Sequence, residues 1–359
     1  MDEPVTARTR LNRFSPVFPG NEIRFGSPMP GRPAERLRSH LAARYGIDVT
    51  AMTDLDVGVW RVGRADGPDW VARWFPARRP AGAAAGDAGI LRYLAAHEFP
   101  AERCAASEPV SALDGRDVLV TEWADPVDRK RRRDAIRADG GLAQLGALLG
   151  RLHSLPCGDG SAGGDGGAAG VGGAVDAVGR PGGAWHHLAD GLPSAEVAAA
   201  ARLLDGVAHL IPDTERAAYA ALRAELDALD TADGLPEALT HPDFVLANVV
   251  ATPGGMVLVD WAGAGRGPRI WSLAFLLYAE AAKDPRRAAL VLSGYRRHVT
   301  LSAEEVGRLA AIARARPLVL GVWSVGTGRI SPTKALADAA EVRSLTEEIA
   351  DRVRAALAR

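Results

Sequence analysis

Residues 241–260 carry three carboxylate or carboxamide side chains at a spacing that predicts a particular local fold. Asp243 is followed five residues later by Asn248, and Asp260 ends a second apolar run. Between Asn248 and Asp260 the sequence reads VVAT, PGG and MVLV, which is two short β-rich runs around a turn sequence. This pattern predicts a β-hairpin. The hairpin would bring Asp260 back beside the loop that carries Asp243 and Asn248.

These three side chains suit phosphoryl transfer. Asp243 would accept or orient the proton of an attacking hydroxyl group, while Asn248 and Asp260 would give hard oxygen ligands to Mg²⁺ on the nucleotide phosphates. The alternative is that His241-Pro242-Asp243 forms an ordinary turn and that Asp260 is a strand-end carboxylate. For one residue alone that alternative is the better one, but the three together at this spacing favour a phosphotransferase-type site.

The segment resembles the signature of the aminoglycoside phosphotransferase and choline kinase-like family. That family has a His-x-Asp-x-x-x-x-Asn catalytic loop followed by an Ile/Val-Asp-Trp/Phe metal motif, matched here by HPDFVLAN and VDW. Three further segments resemble the helix before the loop, the hinge strand and the helix after the metal motif: residues 145–156, 118–123 and 267–274. The resemblance covers about residues 50 to 280.

The resemblance implies an α+β, two-lobed protein kinase-like fold, with a small antiparallel-sheet N-lobe and a larger, mainly helical C-lobe. It also implies a small-molecule kinase that moves the γ-phosphate of ATP or GTP to a substrate hydroxyl with Mg²⁺ as cofactor. The partners would be a nucleotide and a small-molecule hydroxyl acceptor. In that reaction Asp243 would be the catalytic base, and Asn248 and Asp260 the metal ligands.

The order of predicted elements agrees with two lobes. Residues 1–32 are punctuated by Pro and Gly and predict an irregular arm, residues 33–124 form the N-lobe, and residues 125–359 form the helical C-lobe. In the N-lobe we predict a helix, two strands, a helix and two strands, at residues 33–44, 57–62, 69–75, 86–97, 107–112 and 116–123. Residues 158–183 are so rich in Gly and Ala that we predict a flexible surface insertion.

The nucleotide side of the N-lobe departs from the family. The family has a strand Lys that contacts the nucleotide phosphates and is held by a helix Glu, and the corresponding residues here are Arg73 and Asp87, with Gly89 as the other register for the helix position. No lysine precedes Lys130. Arg73 and Asp87 could form a bidentate pair, although a planar guanidinium does not replace an ammonium conservatively.

Two explanations of Arg73 are open. The chain has 3 lysines and 40 arginines, so a general bias towards Arg accounts for part of the change. The other explanation is a weakened or lost nucleotide site, which gives the alternative function of a catalytically impaired relative that binds nucleotide or ligand in a regulatory role. A strand Arg that reaches solvent without any ligand role is the plainest possibility.

The resemblance also suggests roles for the hinge residues, for Ser272 and for His241. Glu122, Trp123 and Ala124 would provide the backbone hinge for the purine. Ser272 lies where the family often has an Asp that fixes the catalytic loop, and a hydroxyl bonds to backbone groups more weakly than a carboxylate does. His241 is interpreted as a structural residue that packs the loop and bonds to the backbone.

The acceptor is left open by the sequence. The helical region that would build the acceptor pocket contains several acidic residues, Glu280, Asp284, Glu304 and Glu305, which would suit a polyamine or a quaternary amine. These are more simply helix-surface charges. Arg266 and Arg269 could instead recognise an anionic acceptor or nucleotide phosphates.

Bulk properties restrict the remaining classes. A net charge of -1 argues against a dedicated nucleic-acid binder. Cys104 and Cys157 are the only cysteines, too few for a disulfide framework. No apolar run is expected to reach membrane length, and the start of the chain lacks the positive region of a signal peptide. We therefore expect a cytoplasmic protein without membrane or nucleic-acid partners, of unspecified oligomeric state.

Overall fold

The computed structural model describes residues 32–77, 79–80, 82–127, 139–157, 178–180 and 192–358. The predicted irregular arm, apart from its last residue, and most of the predicted Gly-rich insertion lie outside these residues. Within the described part, a small lobe containing one antiparallel sheet precedes a larger lobe made mainly of helices. The predicted two-lobed α+β architecture is confirmed.

The N-lobe is built on one five-stranded antiparallel sheet with strand order β1-β2-β3-β5-β4. Its strands are β1 (Val49–Asp56), β2 (Val59–Arg64), β3 (Trp70–Trp74), β4 (Val110–Leu113) and β5 (Arg116–Glu122), and its helices are α1 (Arg32–Tyr45) and α2 (Ala83–Ala96). All six predicted elements are confirmed. The strand β1 is an additional element that we did not predict. That strand was missed because it is an edge strand with mostly exposed side chains, so its sequence lacks the apolar alternation of a half-buried strand.

Arg73 faces away from the cluster that holds α1 against the sheet. Trp70, Ala72 and Trp74 of β3 belong to that cluster, together with Leu37 and Leu41 of α1. Successive side chains of a strand point to opposite faces. Arg73 is therefore directed to the other face, towards the C-lobe.

The C-lobe contains helices and two short β-ladders. The strands are β6 (Glu237–Thr240), β7 (Val249–Thr252), β8 (Gly255–Leu258) and β9 (Gly265–Pro268), and the pairs are β6 with β9 and β7 with β8. The helices are α3 (Asp139–His153), α4 (Pro193–Gly206), α5 (Arg216–Asp227), α6 (Arg269–Ala281), α7 (Arg287–Tyr295), α8 (Ala303–Ala313), α9 (Ala315–Gly326) and α10 (Pro332–Leu357). The predicted hairpin between Asn248 and Asp260 is confirmed as β7 and β8.

The end of the predicted insertion is packed against the protein. Val178 is buried in the main core, and the Arg180 side chain pairs with Asp87 of α2. The backbone amide of Arg266 also donates to the carbonyl of Arg180 at 2.7 Å. For residues 178–180 the prediction of a flexible surface segment is therefore wrong, because an apolar side chain and an ion pair bind them to the core.

The segment Ala303–Gly326 is long and apolar enough, on length and composition alone, to cross a membrane. This corrects the expectation that no apolar run reaches that length. In the fold the segment is two helices, α8 and α9, which are interrupted at Arg314. Half of its most apolar window is buried inside the protein, so packing in the C-lobe accounts for its composition.

Helices α3 and α7 touch through glycine. A Cβ atom added to Gly146 would lie 1.9 Å from the carbonyl oxygen of Val291, and one added to Gly294 would lie 1.8 Å from that of Ala143. The atoms in the way belong to the backbone, so they cannot move aside by a change of rotamer. The two helices therefore pack backbone against backbone within the C-lobe.

Gly146→Ala is expected to lower the free energy of unfolding by about 3 kcal/mol, because overpacking of this kind forces the helices apart. Urea unfolding followed by circular dichroism measures the change. Gly307→Ala in α8 is the matched control, since a Cβ atom there meets nothing within 4 Å. That control should gain up to about 1 kcal/mol from helix propensity. An equal effect of the two substitutions would contradict the close approach of α3 and α7.

Candidate active site

His241 links the loop that carries Asp243 to the end of the hairpin before Asp260. Its Nε2 lies 3.0 Å from the carbonyl oxygen of Val259, and its Nδ1 accepts a 3.1 Å hydrogen bond from the amide of Asp243. These partners define a neutral ring that donates from Nε2. Burial lowers the pKa of His241 to about 4, in agreement with the neutral form. The interpretation of His241 as a structural residue is confirmed.

Asp243 lies in the loop with its side chain 22% exposed. Asn248 Nδ2 donates to the Asp243 carbonyl oxygen at 2.8 Å and to its carboxylate oxygen Oδ2 at 3.3 Å. Burial raises the pKa of Asp243, while the nearby Arg316 opposes that change. The carboxylate is thus both oriented by its neighbours and more basic than a free aspartate, as a general base requires.

The hairpin brings Asn248 and Asp260 to the same place. The amide of Val259, one residue before Asp260, donates to the carbonyl oxygen of Asn248 at 2.9 Å. Because Asn248 Nδ2 is committed to Asp243, its amide oxygen is the side-chain atom left to face a ligand. Asp260 has a φ of 71° and a side chain that is 40% exposed. A positive φ is uncommon in a residue other than glycine, and the residues that have one cluster at functional sites.

This pair of oxygen ligands fits magnesium. Among the described residues no group of three or more His, Cys, Asp or Glu side chains could hold a metal ion. Mg²⁺ does not need such a cage, since it is commonly bound through one or two protein ligands, water and substrate phosphates. Asn248 and Asp260 provide one amide oxygen and one carboxylate, which is the donor chemistry that Mg²⁺ prefers.

Arg73 of β3 forms an ion pair with Asp260, and its Nη2 lies 3.5 Å from Glu102 Oε1. Burial alone would lower the pKa of Arg73, but Asp260 and Glu102 outweigh burial and raise it above its usual value. The possibility that the Arg73 side chain extends into solvent is therefore excluded. The predicted pair of Arg73 with Asp87 is also wrong, because the carboxylates that contact Arg73 come from other elements.

Asp87 of α2 is fully buried behind the metal motif. It pairs with Arg79 and Arg180, and its Oδ1 accepts a 3.1 Å hydrogen bond from the amide of Gly263. Its oxygen atoms are thus occupied by protein groups. The prediction that Asp87 belongs to the nucleotide-binding set is wrong, because Asp87 supports the backbone after Asp260 from a position without solvent access.

Glu102 contacts both Arg73 and Asp260, and we did not predict it from the sequence. Its Oε1 accepts hydrogen bonds from the amides of Asp260 and Trp261 at 2.8 and 3.3 Å, and its Oε2 accepts one from Thr121 at 2.9 Å. Glu102 therefore joins Arg73 of the N-lobe to the backbone of the metal motif. The sequence gives no special signal for it, since Glu102 is one of three glutamates, with Glu98 and Glu108, in the connection between α2 and β4.

The segment that carries Glu102 is itself bonded to the C-lobe. Leu258, the last residue of β8, donates from its amide to the carbonyl of Pro100 at 2.9 Å and accepts from the amide of Glu102 at 3.0 Å. Ala101 and Leu258 form a parallel β-bridge. A backbone ladder thus fixes the distance between Glu102 and Asp260.

The predicted hinge lies at the end of β5. The amide of Glu122 donates to the carbonyl of Arg103 at 2.8 Å, and the amide of Trp123 donates to that of Asp69 at 2.9 Å. The amide of Ala124 bonds to no other residue in the described part of the chain. Of the three predicted hinge residues, Ala124 is thus the one whose amide faces no described protein acceptor.

The charged residues considered for the acceptor are paired with one another or with neighbours. Four ion pairs account for the acidic set: Glu280–Arg287, Asp284–Arg286, Glu304–Arg308 and Glu305–Arg269. Arg266 pairs with Glu237 at 2.6 Å. At these positions the acidic residues and the arginines are thus paired with opposite charges.

Comparison with known proteins agrees with this fold and geometry. The model of the phosphotransferase enzyme family matches residues 53–314, which is most of the chain. This protein therefore belongs to the phosphotransferase enzyme family. No curated protein sequence matches the chain.

Several solved structures share the fold. Choline kinase LicA from Streptococcus pneumoniae superposes with a TM-score of 0.57 at 14% identity, covering 87% of this chain and 99% of that one. Amicoumacin kinase hAmiN, in complex with AMP-PNP, Ca²⁺ and Ami, gives a TM-score of 0.55 at 16% identity, with coverages of 90% and 96%. Spectinomycin phosphotransferase APH(9)-Ia, in complex with ADP and spectinomycin, gives 0.53 at 13% identity, with coverages of 90% and 98%. The chain has the kinase-like fold of these proteins.

Proposed function

We propose that this protein transfers the γ-phosphoryl group of ATP or GTP to a hydroxyl group of a small molecule in the presence of Mg²⁺. The observation that carries the proposal is the meeting of Asp243, Asn248 and Asp260 around one loop and hairpin, with Arg73 in contact with Asp260. Family membership supports the reaction class. A cytoplasmic location stays a prediction from composition.

Asp243 is the base in this proposal. It takes the proton of the acceptor hydroxyl while the oxygen of that hydroxyl bonds to the γ-phosphorus, and the bond from that phosphorus to the β,γ-bridging oxygen breaks. The products are a phosphate ester and a nucleoside diphosphate. Asn248 holds the Asp243 carboxylate through its Nδ2, so the base is oriented before the acceptor arrives.

Asn248 and Asp260 are the residues that would hold Mg²⁺. When bound, Mg²⁺ offsets negative charge on the phosphates and on the leaving diphosphate. Arg73 would supply a second, fixed positive charge, which Glu102 keeps in place. Arg73 and Glu102 would thereby carry out the task of the family's Lys and Glu, with the cation on the same strand and the carboxylate in the connection after α2 instead of on the helix.

The alternative candidate is a catalytically impaired relative that binds nucleotide or ligand in a regulatory role. The contact between Arg73 and Asp260 favours it, because the cation expected on the phosphates is engaged with a proposed metal ligand. Under the first proposal the contact is exchanged for Mg²⁺ and phosphates. Under the second it persists, and Mg²⁺ adds little to nucleotide affinity.

A thermal-shift titration with ATP and GTP, each with and without Mg²⁺, tests the donor side. A nucleotide at 100 times its Kd should raise the melting midpoint by about 5 °C, because a ligand bound only by the folded state stabilises by mass action. Mg²⁺ without nucleotide is the control. No shift with either nucleotide would contradict the kinase and the nucleotide-binding form of the impaired relative, and would leave only a relative that binds another ligand.

The acceptor side is tested by mass spectrometry of products with a panel of hydroxyl compounds. Choline, spectinomycin and amicoumacin are the first members because structures of related fold act on or bind them. A mass gain of one phosphoryl group on any acceptor supports the kinase. Mg²⁺-independent nucleotide binding without product on a broad panel favours the impaired relative.

A further inference from the structure

A buried ion pair lies behind the catalytic loop, between helices α4 and α9. Arg316 of α9 is 3% exposed and Glu196 of α4 is fully buried. Arg316 Nε lies 3.3 Å from Glu196 Oε1. The same two helices also contribute Ala200, Leu204 and Val319 to an apolar cluster of buried residues. Two ionisable side chains have therefore been taken out of water at this place.

Arg316 extends from this pair to the catalytic loop. Its Nη1 donates to the carbonyl oxygen of Pro242 at 2.7 Å, and its Nη2 lies 3.5 Å from Asp243 Oδ1. The guanidinium also lies over the ring of Phe275, 4.6 Å from its centroid. One planar group thus contacts the loop backbone, the proposed base and the interior of the C-lobe at once. A guanidinium suits this task because its donors are fixed in a fork.

The loop lacks the aspartate anchor that the family often has on the helix after the metal motif. Ser272 of α6 occupies the position at which the family often has an Asp that fixes the loop. Its side chain is buried, and its Oγ has no hydrogen-bond partner in the part of the chain that the structure describes. Helix α6 therefore offers no such polar anchor here from position 272. Arg316, 44 residues further along the chain, contacts the loop instead.

We infer that Arg316, held in place by Glu196, is a positioning residue that fixes the catalytic loop and the direction of the Asp243 carboxylate. The catalytic part of this inference rests on the proposed phosphotransferase function, whereas the fixing of the loop does not. A buried ion pair by itself contributes little net stability, because desolvation offsets the attraction. A pair retained only as a core filler would leave the loop unchanged when the pair is removed.

Hydrogen exchange followed by mass spectrometry tests the inference on the full chain without any need for turnover. In Arg316→Gln, amides of residues 241–248 should exchange at least about tenfold faster than in the parent protein, because the link to Pro242 is lost. Arg316→Lys should fall between the two, since an ammonium keeps the charge without the fork. Glu196→Gln should accelerate the same segment by a smaller factor.

The matched control is Arg308→Gln, which breaks another ion pair of the C-lobe, at 2.6 Å to Asp230. It should leave exchange in residues 241–248 unchanged. Unchanged exchange of this segment in folded Arg316→Gln would overturn the inference, as would equal acceleration by the control. If Arg316→Gln does not fold, Arg316→Lys and Glu196→Gln decide by the same criterion.

Steady-state kinetics of the Arg316 variants test the catalytic part of the inference. With an acceptor found, Arg316→Gln should lower kcat by at least about tenfold and leave KM for the nucleotide within about twofold, with partial recovery in Arg316→Lys. A loss in KM alone would contradict a role through Asp243. Absence of product from the parent protein would count against the proposed function, while the exchange result would still decide whether Arg316 fixes the loop.

Discussion

Replacing Asp243 with asparagine is expected to lower kcat for phosphoryl transfer by about 10²- to 10⁴-fold, the usual contribution of a general base. Asparagine keeps the size of the side chain and its hydrogen bond with Asn248, but it cannot take the proton of the acceptor hydroxyl. Nucleotide affinity in the presence of Mg²⁺ should stay within about twofold, since the loss is confined to the transition state. Product formation gives kcat, and isothermal titration calorimetry gives the nucleotide affinity.

Asp284→Asn is the control for this experiment. Asp284 is an aspartate of the same lobe whose partner is Arg286 and which has no contact with the catalytic loop. Its substitution should leave kcat unchanged. Transfer at the parental rate in Asp243→Asn would remove Asp243 from the mechanism and leave the metal motif without its proposed base.

Replacing Asp260 with asparagine is expected to abolish most of the Mg²⁺-dependent part of nucleotide binding and to lower kcat by about 10²- to 10³-fold, since a metal ion contributes several kcal/mol of charge stabilisation. Asparagine is the informative choice because it tolerates the φ of 71° at this position. An alanine would add backbone strain to the loss of the ligand. Calorimetric titration of nucleotide at several Mg²⁺ concentrations measures the effect.

Asp114→Asn is a close control, because Asp114 is also an aspartate with positive φ, at 53°, in the turn between β4 and β5. It lies outside the site and should leave binding unaltered. Full Mg²⁺ dependence in Asp260→Asn would show that Asp260 is not a ligand. Absence of Mg²⁺ dependence in the parent protein would instead favour the impaired regulatory relative, in which Arg73 retains Asp260.

The catalytic half of the site was predictable because it is local in sequence. Asp243, Asn248 and Asp260 lie within one loop and one hairpin, and the register of a hairpin follows from its turn and its alternating residues. The relative position of the three side chains thus needs no knowledge of the remaining fold. The two-lobed architecture followed from the resemblance of these motifs to a known family, and the order of the predicted elements agreed with it.

The partners of Arg73 were not predictable, because they depend on tertiary contacts. Glu102 is 29 residues from Arg73 in sequence and Asp260 is 187 residues away. Alignment with the family gave Asp87 instead, but the presence of Arg79 and Arg180 around that carboxylate could not be read from local pattern. Each charged residue had several plausible partners, and packing of α2 against the metal motif selected among them.

Arg316 was missed for a related reason. It lies at the start of an apolar helix, and nothing in the surrounding residues indicates that the side chain points to a loop more than 70 residues earlier in the chain. Its role depends on the packing of α4 against α9. A buried arginine inside an apolar stretch is nevertheless a signal worth pursuing, because such a charge requires a partner.

The backbone ladder between residues 100–102 and Leu258 also restricts how the cleft can open. The two hydrogen bonds of one parallel β-bridge join the lobes next to Asp260, so separation by sliding would break them. A rotation about this ladder would not, and in a rotation displacement grows with distance from the axis. The turn at Val57, between β1 and β2 and 93% exposed, would move over a wide arc. The backbone of Arg73, whose side chain reaches Asp260 beside the ladder, would move over a much shorter arc.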